Sequence, residues 1–177
     1  MRAKSAGYDG VEIHSAHGYL PNQFYSPLTN RRADDYGGSL ENRMRFLMET
    51  VRAVRSAVGT RFPISVRLGG CDYMEGGSTI ADSVQAATTL QQAGADLLSV
   101  TGGMCRYTRE GHSEPGYFQD MSSEIKRSVT IPVLLTGGVQ TVDEAEALLM
   151  EQVADLIGIG RAILKNLNWP VEEPEKG

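Results

Sequence analysis

Apolar residues gather in five short runs along this chain, residues 8–13, 63–68, 95–101, 131–136 and 154–160, each closing on glycine or polar side chains. Runs of that length bounded by turn residues read as strands, the first of them a short buried strand centred on Gly10-Val11-Glu12-Ile13. Between the runs the period changes. Ser39 caps a segment in which Met44, Leu47, Val51, Val54 and Val58 recur at helical spacing as far as Gly59. Thr79 with Asp82 opens another, striped by Ile80, Val84, Ala87 and Leu90 and ended by Gly94. Residues 121–129 form a short helix, and Thr141 with Glu144 makes a capping box for a helix through Leu148, Leu149 and Met150. A short apolar helix follows Arg161, then Trp169, Pro170 and a charged tail. Residues 1–7 look like the end of a helix closed by Gly7, and residues 21–38, 72–77 and 104–116 read as loops. The first of these is long, and Phe24, Tyr25 and Tyr36 within it favour an ordered one.

Ala6-Gly7-Tyr8-Asp9, Ala93-Gly94-Ala95-Asp96 and Val153-Ala154-Asp155 each sit between a helix end and a strand, a weak repeat of one helix-to-strand turn. Strands alternating with helices in this way imply an α/β fold, a parallel sheet with right-handed crossovers. Chemistry-bearing residues follow all five runs. A (β/α) barrel collects such positions on one face. A doubly wound sheet shares the rule but gives little reason for polar sites after every strand.

Composition narrows the classes. With 177 residues and 41% hydrophobic content the chain is expected to form a single domain around one core. A net charge of −5 with scattered basic residues argues against nucleic acid and anionic membrane as partners. No apolar run approaches a membrane span and no signal segment follows Met1, so a cytoplasmic protein is expected. Cys71 and Cys105 suit a reducing compartment.

Two groups of residues carry chemistry. His14, His17 and Tyr19 are expected just past the first strand, where two imidazoles could aim N–H donors at one oxygen and a phenol could supply a proton. The spacing equally suits ordinary turn residues, and a zinc site would need further ligands, which His112 and the cysteines are not spaced to give. Gly137-Gly138 and Gly158-Ile159-Gly160-Arg161 are strand-to-helix glycine turns on neighbouring strands. There, backbone amides, helix N-termini and a bidentate arginine could hold a phosphate.

Residues 9–20, DGVEIHSAHGYL, continue through Asn22-Gln23-Phe24, Ser26-Pro27, Asn30-Arg31-Arg32, residues 35–39 and Glu41-Asn42-Arg43. This stretch resembles the old yellow enzyme family of FMN-dependent oxidoreductases, in its bacterial NADH:flavin oxidoreductase branch, and the likeness covers nearly the whole chain. It implies a TIM (β/α)8-barrel that holds FMN, takes hydride from NADH or NADPH and passes it to an activated alkene or similar small-molecule acceptor. His14 and His17 would hold the acceptor's carbonyl oxygen and the nicotinamide amide, and Tyr19 would protonate the α-carbon. Arg67 would sit by flavin N1 and the C2 carbonyl, with Gly137, Gly138, Gly160 and Arg161 at the phosphate. No metal is implied. Gly69 stands where many relatives carry a small polar residue, and no cysteine cluster follows Trp169 as in the iron–sulfur members.

The resemblance begins at the family's fourth strand, so the chain is expected to be a partial barrel of about five βα units, strands four to eight. Such a piece would expose an apolar interior and two sheet edges and would dimerise, aggregate, bind FMN poorly or pair with the missing barrel half. A non-catalytic barrel fragment or assembly module retaining only the phosphate end is the alternative. An unrelated phosphate-binding barrel isomerase is a third reading, but it would have no need of Arg67.

Overall fold

In the computed structural model, which describes residues 2–169, five strands form one sheet in the order β1-β2-β3-β4-β5, every neighbouring pair parallel. The elements run α1 (Arg2–Ser5), β1 (Val11–Ser15), α2 (Leu20–Tyr25), α3 (Leu40–Val58), β2 (Ile64–Cys71), α4 (Ile80–Gln92), β3 (Leu97–Gly102), α5 (Gln119–Ser128), β4 (Val133–Thr136), α6 (Val142–Met150), β5 (Leu156–Gly158) and α7 (Arg161–Lys165). Neighbours in space are neighbours in sequence, as one run of a barrel wall requires.

The helix starts behave as their local chemistry dictates. Ser39 accepts from the Asn42 amide, and both expected capping boxes form, Thr79 with Asp82 and Thr141 with Glu144. The strands show the period of two. On one face Ile64, Val66, Leu68, Leu98, Val100, Val133 and Leu135 are buried. The last six join a core with Tyr25, Leu47, Leu90, Met121 and Ile125 of the covering helices. At roughly 25 cal/mol per Å² this apolar contact is the main force holding helices to sheet. The opposite face carries Glu12, His14, Ser65, Arg67, Ser99 and Thr101, with Leu97, Leu134 and Leu156 among its apolar members. Alternation has thus put polar side chains where an apolar interior was expected.

Three of the boundaries that differ from the sequence reading bear on the site. β1 begins at Val11 and runs through His14 to Ser15, because its ladder follows β2 as far as His14↔Arg67 and Ser15↔Leu68. His14 therefore lies within the strand rather than past it, and this edge strand is only half buried. β2 continues beyond Leu68 to Cys71, following β3 with an irregularity between Gly69 and Cys71. A Cβ at Gly69 would come within 2.8 Å of Gly103 Cα, and one at Gly70 within 2.5 Å of Ser83 Cβ, so both positions require glycine. The loop over residues 21–38 opens with α2, since Pro21 sits in the first turn where its missing N–H costs nothing. Tyr25 is buried and donates to the Gly70 carbonyl at 2.9 Å. Asn30 holds the rest in order by donating to the carbonyls of Phe24 and Tyr36.

Within the described residues β1 and β5 each pair on one side only. No helix among those residues is long and apolar enough to cross a membrane. The charged tail beyond Trp169 lies outside the described residues.

Candidate active site

The turn after β1 is unusual in its backbone. His17 has φ 59° and Gly18 φ 77°, and a left-handed conformation at a histidine is held only when the surroundings fix it. Here α2 fixes it. The Asn22 side chain accepts from the Gly18 amide at 2.9 Å, and Gln23 donates to the Gly18 carbonyl at 2.7 Å. The reversal carries the His17 ring over the strand ends to β3, where Nε2 lies 3.0 Å from Thr101 Oγ1. His14 meets His17 edge-on with 5.3 Å between ring centroids, and the Tyr19 ring stands 5.0 Å from that of His14. The expected trio therefore converges, with Tyr19 largely open to solvent at 61% exposure.

Arg67 lies opposite His14 in the sheet register and lines the same mouth. Its Nε is buried and has no hydrogen-bond partner. A buried guanidinium N–H without an acceptor is costly, and a ligand oxygen or ring nitrogen would relieve it. The cation also acts on its neighbours. Desolvation first, then Arg67, then His14 push the His17 pKa down to about 4. His14 is lowered by desolvation and Arg67, opposed by Glu12. Both imidazoles are thus held neutral at pH 7, the form that combines one N–H donor with one acceptor.

From this mouth a cleft of about 930 Å³ crosses the sheet's C-terminal end, walled by His17 and Arg67 at one end and by Gly137, Gly138, Gly158, Gly160 and Arg161 at the other. The four glycines do different things. Gly137 and Gly138 have φ of 123° and 78° and lie under the Tyr117 ring, while a Cβ on Gly158 would strike Thr136 Cγ2 at 2.7 Å. Only at Gly160 would a Cβ enter open space. Contrary to expectation, the start of α6 has little to offer an anion, because the Glu144 carboxylate already accepts from the Gln140 and Thr141 amides. Arg161 donates to the Tyr117 hydroxyl at 2.9 Å.

The sequence reading missed Thr101, Ser99, Tyr107 and Tyr117, all of which line the cleft. Strand periodicity from Arg67's neighbour Ser99 to Thr101 could have found the first two. Tyr107 and Tyr117 lie between β3 and α5, where no period operates. The residues present fit FMN. Arg67, with its buried Nε unpaired, lines one end, an arginine and an open glycine turn the other, and the volume lies in the range of cofactor sites.

Known proteins resemble this chain in both sequence and fold. The chain is 41% identical to an NADH oxidase of Thermoanaerobacter brockii, over 99% of its own length and 28% of the relative's. To an NADPH dehydrogenase of Bacillus pumilus it is 44% identical, over 99% of its length and 51% of the relative's. The fold matches a 2-naphthoyl-CoA reductase bound to 2-naphthoyl-CoA with TM-score 0.86 at 31% identity, covering 95% of this chain and 26% of that one. It matches the old yellow enzyme homologue of Zymomonas mobilis with TM-score 0.77 at 31% identity, covering 96% and 47%. The chain thus spans about half or less of the length of these relatives. The sequence profile of the NADH:flavin oxidoreductase / NADH oxidase family matches residues 1–175, and the chain belongs to that family.

Proposed function

We propose that this chain carries the reacting end of an FMN-dependent NAD(P)H oxidoreductase and corresponds to strands four to eight of the family barrel. The observation that carries the reading is Arg67, whose buried Nε has no partner although the residue lines a cleft with His17 and Arg161 and sits opposite His14 in the sheet register. FMN, when bound, supplies the two-electron chemistry, taking hydride from NADH or NADPH and yielding it to the acceptor.

The chain's own residues do the rest. Arg67 holds positive charge where the reduced ring system is negative. Gly160, whose Cβ position is open, lets backbone come close to the phosphate, and Arg161 clamps it. His14 and His17, neutral and edge-to-face, donate N–H to an acceptor carbonyl oxygen or, in the other half-reaction, to the nicotinamide amide. Tyr19 stands beside His14 in solvent contact and gives its phenolic proton to the α-carbon of an activated alkene. The names of the relatives, NADH oxidase and NADPH dehydrogenase, support either nicotinamide as reductant.

The test is gel filtration of the purified chain after incubation with FMN, followed by anaerobic NADH or NADPH. Co-elution of flavin absorbance and its bleaching by nicotinamide support the reading, with loss of both in Arg67→Gln. Flavin that neither co-elutes nor is retained by the chain in equilibrium dialysis against excess FMN overturns it. A second reading, a non-catalytic barrel piece that works only beside a second copy or the complementary barrel half, is favoured by the one-sided pairing of β1 and β5. Co-elution without bleaching would select it.

A further inference from the structure

We propose that Tyr117 is a positioning residue that ties the two ends of the cleft together, fixing Tyr107 beside His17 from a seat next to Arg161. The inference rests on the reading above for what the two ends bind. Tyr117 is 4% exposed, and its ring lies against the glycine turn after β4. A Cβ at Gly137 would come within 2.8 Å of Tyr117 Cε2, and one at Gly138 within 2.9 Å of Cδ1. The seat exists because both positions lack a side chain.

The hydroxyl at the end of this ring has two partners. It accepts from Arg161 Nη2 at 2.9 Å and donates to the backbone carbonyl of Tyr107. A phenol can do both at once, having one O–H and free lone pairs. Tyr107 in turn presents its ring edge-on to His17, centroid to centroid 6.2 Å, and lines the cleft. Rings therefore succeed one another from Tyr19 through His14 and His17 to Tyr107, and the far end of that row is pinned by Tyr117.

The backbone of Tyr117 is anchored independently. Arg109 donates to the Tyr117 carbonyl at 2.9 Å and to Asp120 at 3.0 Å while lying 4.2 Å over the Tyr73 ring. That anchor fixes where Tyr117 begins, and the hydroxyl fixes what it holds. A guanidinium has N–H groups to spare, so Arg161 can bind an anion and keep its bond to Tyr117. Occupation of the anion end and the width of the opening beside His17 then become one mechanical unit.

Tyr117→Phe keeps the ring on its glycine seat and removes only the hydroxyl. The test is two-dimensional NMR of the chain without any ligand, reading cross-relaxation between the Tyr107 and His17 ring protons. The cross-peak should be present in the wild-type protein. In Tyr117→Phe it should fall below about half, since one neutral hydrogen bond favours the closed loop by roughly five- to tenfold. The cross-peak between His14 and Tyr19 should stay unchanged. In Arg161→Gln, where Tyr117 loses its second partner, a smaller loss is expected. An unchanged Tyr107–His17 cross-peak in Tyr117→Phe, or its absence from the wild-type spectrum, overturns the role of Tyr117, and an unchanged one in Arg161→Gln overturns the link between the ends. No flavin enters the measurement, so a chain that failed to bind FMN would refute the functional reading and leave this result standing.

Discussion

Nε2 of His17 and Oγ1 of Thr101 lie 3.0 Å apart, joining the turn after β1 to the end of β3 across the tip of β2. A neutral imidazole carries its proton on one nitrogen only. If Thr101 donates to Nε2, the proton sits on Nδ1, and Nδ1 becomes the donor available to a ligand.

Thr101→Val should release that choice. Long-range ¹H–¹⁵N spectra are expected to show a single Nδ1–H tautomer in the wild-type protein and a mixture in the variant. Turnover of a flavin-loaded enzyme should drop by about three- to tenfold, the worth of one neutral hydrogen bond. A wild-type His17 protonated on Nε2 would remove the basis for this assignment.

The histidine pair should also set a pH dependence displaced from the ordinary one. The folded-state pKa of His17 is about 4, while an imidazole of the unfolded chain titrates near its ordinary 6.5. Below that value the unfolded state binds more protons, so stability is complete above about pH 6.5 and declines as pH falls toward 4. After allowance for water at the half-buried ring, the decline is on the order of 2 kcal/mol. Arg67→Gln removes a lowering influence from both rings, and both pKa values should rise. NMR titration of the histidine Cε1 protons reads this directly. A wild-type His17 midpoint near 6.5, or no upward movement in Arg67→Gln, would count against the site as described.

Thr79 with Asp82 and Thr141 with Glu144 were legible because a capping box is complete within one turn of chain. The end of β2 was not, because Gly69 and Cys71 are in a strand only by virtue of Thr101 and Gly102 on β3. Pro21 reads as a breaker, and nothing nearby in sequence reveals that it opens α2. The same divide runs through the site. His14, His17 and Tyr19 lie close in sequence and could be read as a group. Arg67, far away in the chain, was assigned through resemblance, and the structure brings it opposite His14 by strand register. The positive φ of His17 and the seat of Tyr117 depend on Asn22 and on the turn after β4, contacts that no local pattern encodes.

The glycines should separate folding from binding. Gly138 has φ 78°, and a Cβ there would come 2.5 Å from the Glu114 carbonyl, so Gly138→Ala is expected to cost about 1–3 kcal/mol through strain alone. Gly160→Ala meets nothing within 4 Å and should leave the unfolding midpoint in place. If Gly160 lets the phosphate approach the backbone, the methyl group should weaken FMN binding about tenfold at unchanged stability, a loss of roughly 1.4 kcal/mol. Denaturation curves and FMN titrations of the two variants check this. Equal FMN affinity for Gly160→Ala and wild type would place the phosphate elsewhere.

Asp72 offers the sharpest test of how the loops around the site are held. It is 0% exposed, yet its carboxylate has three donors. Oδ2 accepts from Ser26 Oγ at 2.6 Å and from the Ser78 amide at 2.8 Å, and Oδ1 accepts from the Met104 amide at 2.7 Å. These donors come from three segments, following α2, β2 and β3, so one side chain fastens all three. Met104 in turn lies beneath the His17–Gly18 turn, its Cε 3.7 Å from where a Gly18 Cβ would be. Asp72→Asn keeps size and shape but turns an NH2 group toward at least one of the donors. With charge-assisted bonds worth about 1.5–3 kcal/mol each, the variant should lose about 2–4 kcal/mol. The loss should be visible as a lower denaturant midpoint and as faster exchange of the Ser78 and Met104 amides. Because the fastening reaches Met104, the His14–His17 ring contact should loosen too. If Asp72→Asn unfolds at the wild-type denaturant concentration with both amides still protected, these loops are held by packing alone and Asp72 is incidental to the site.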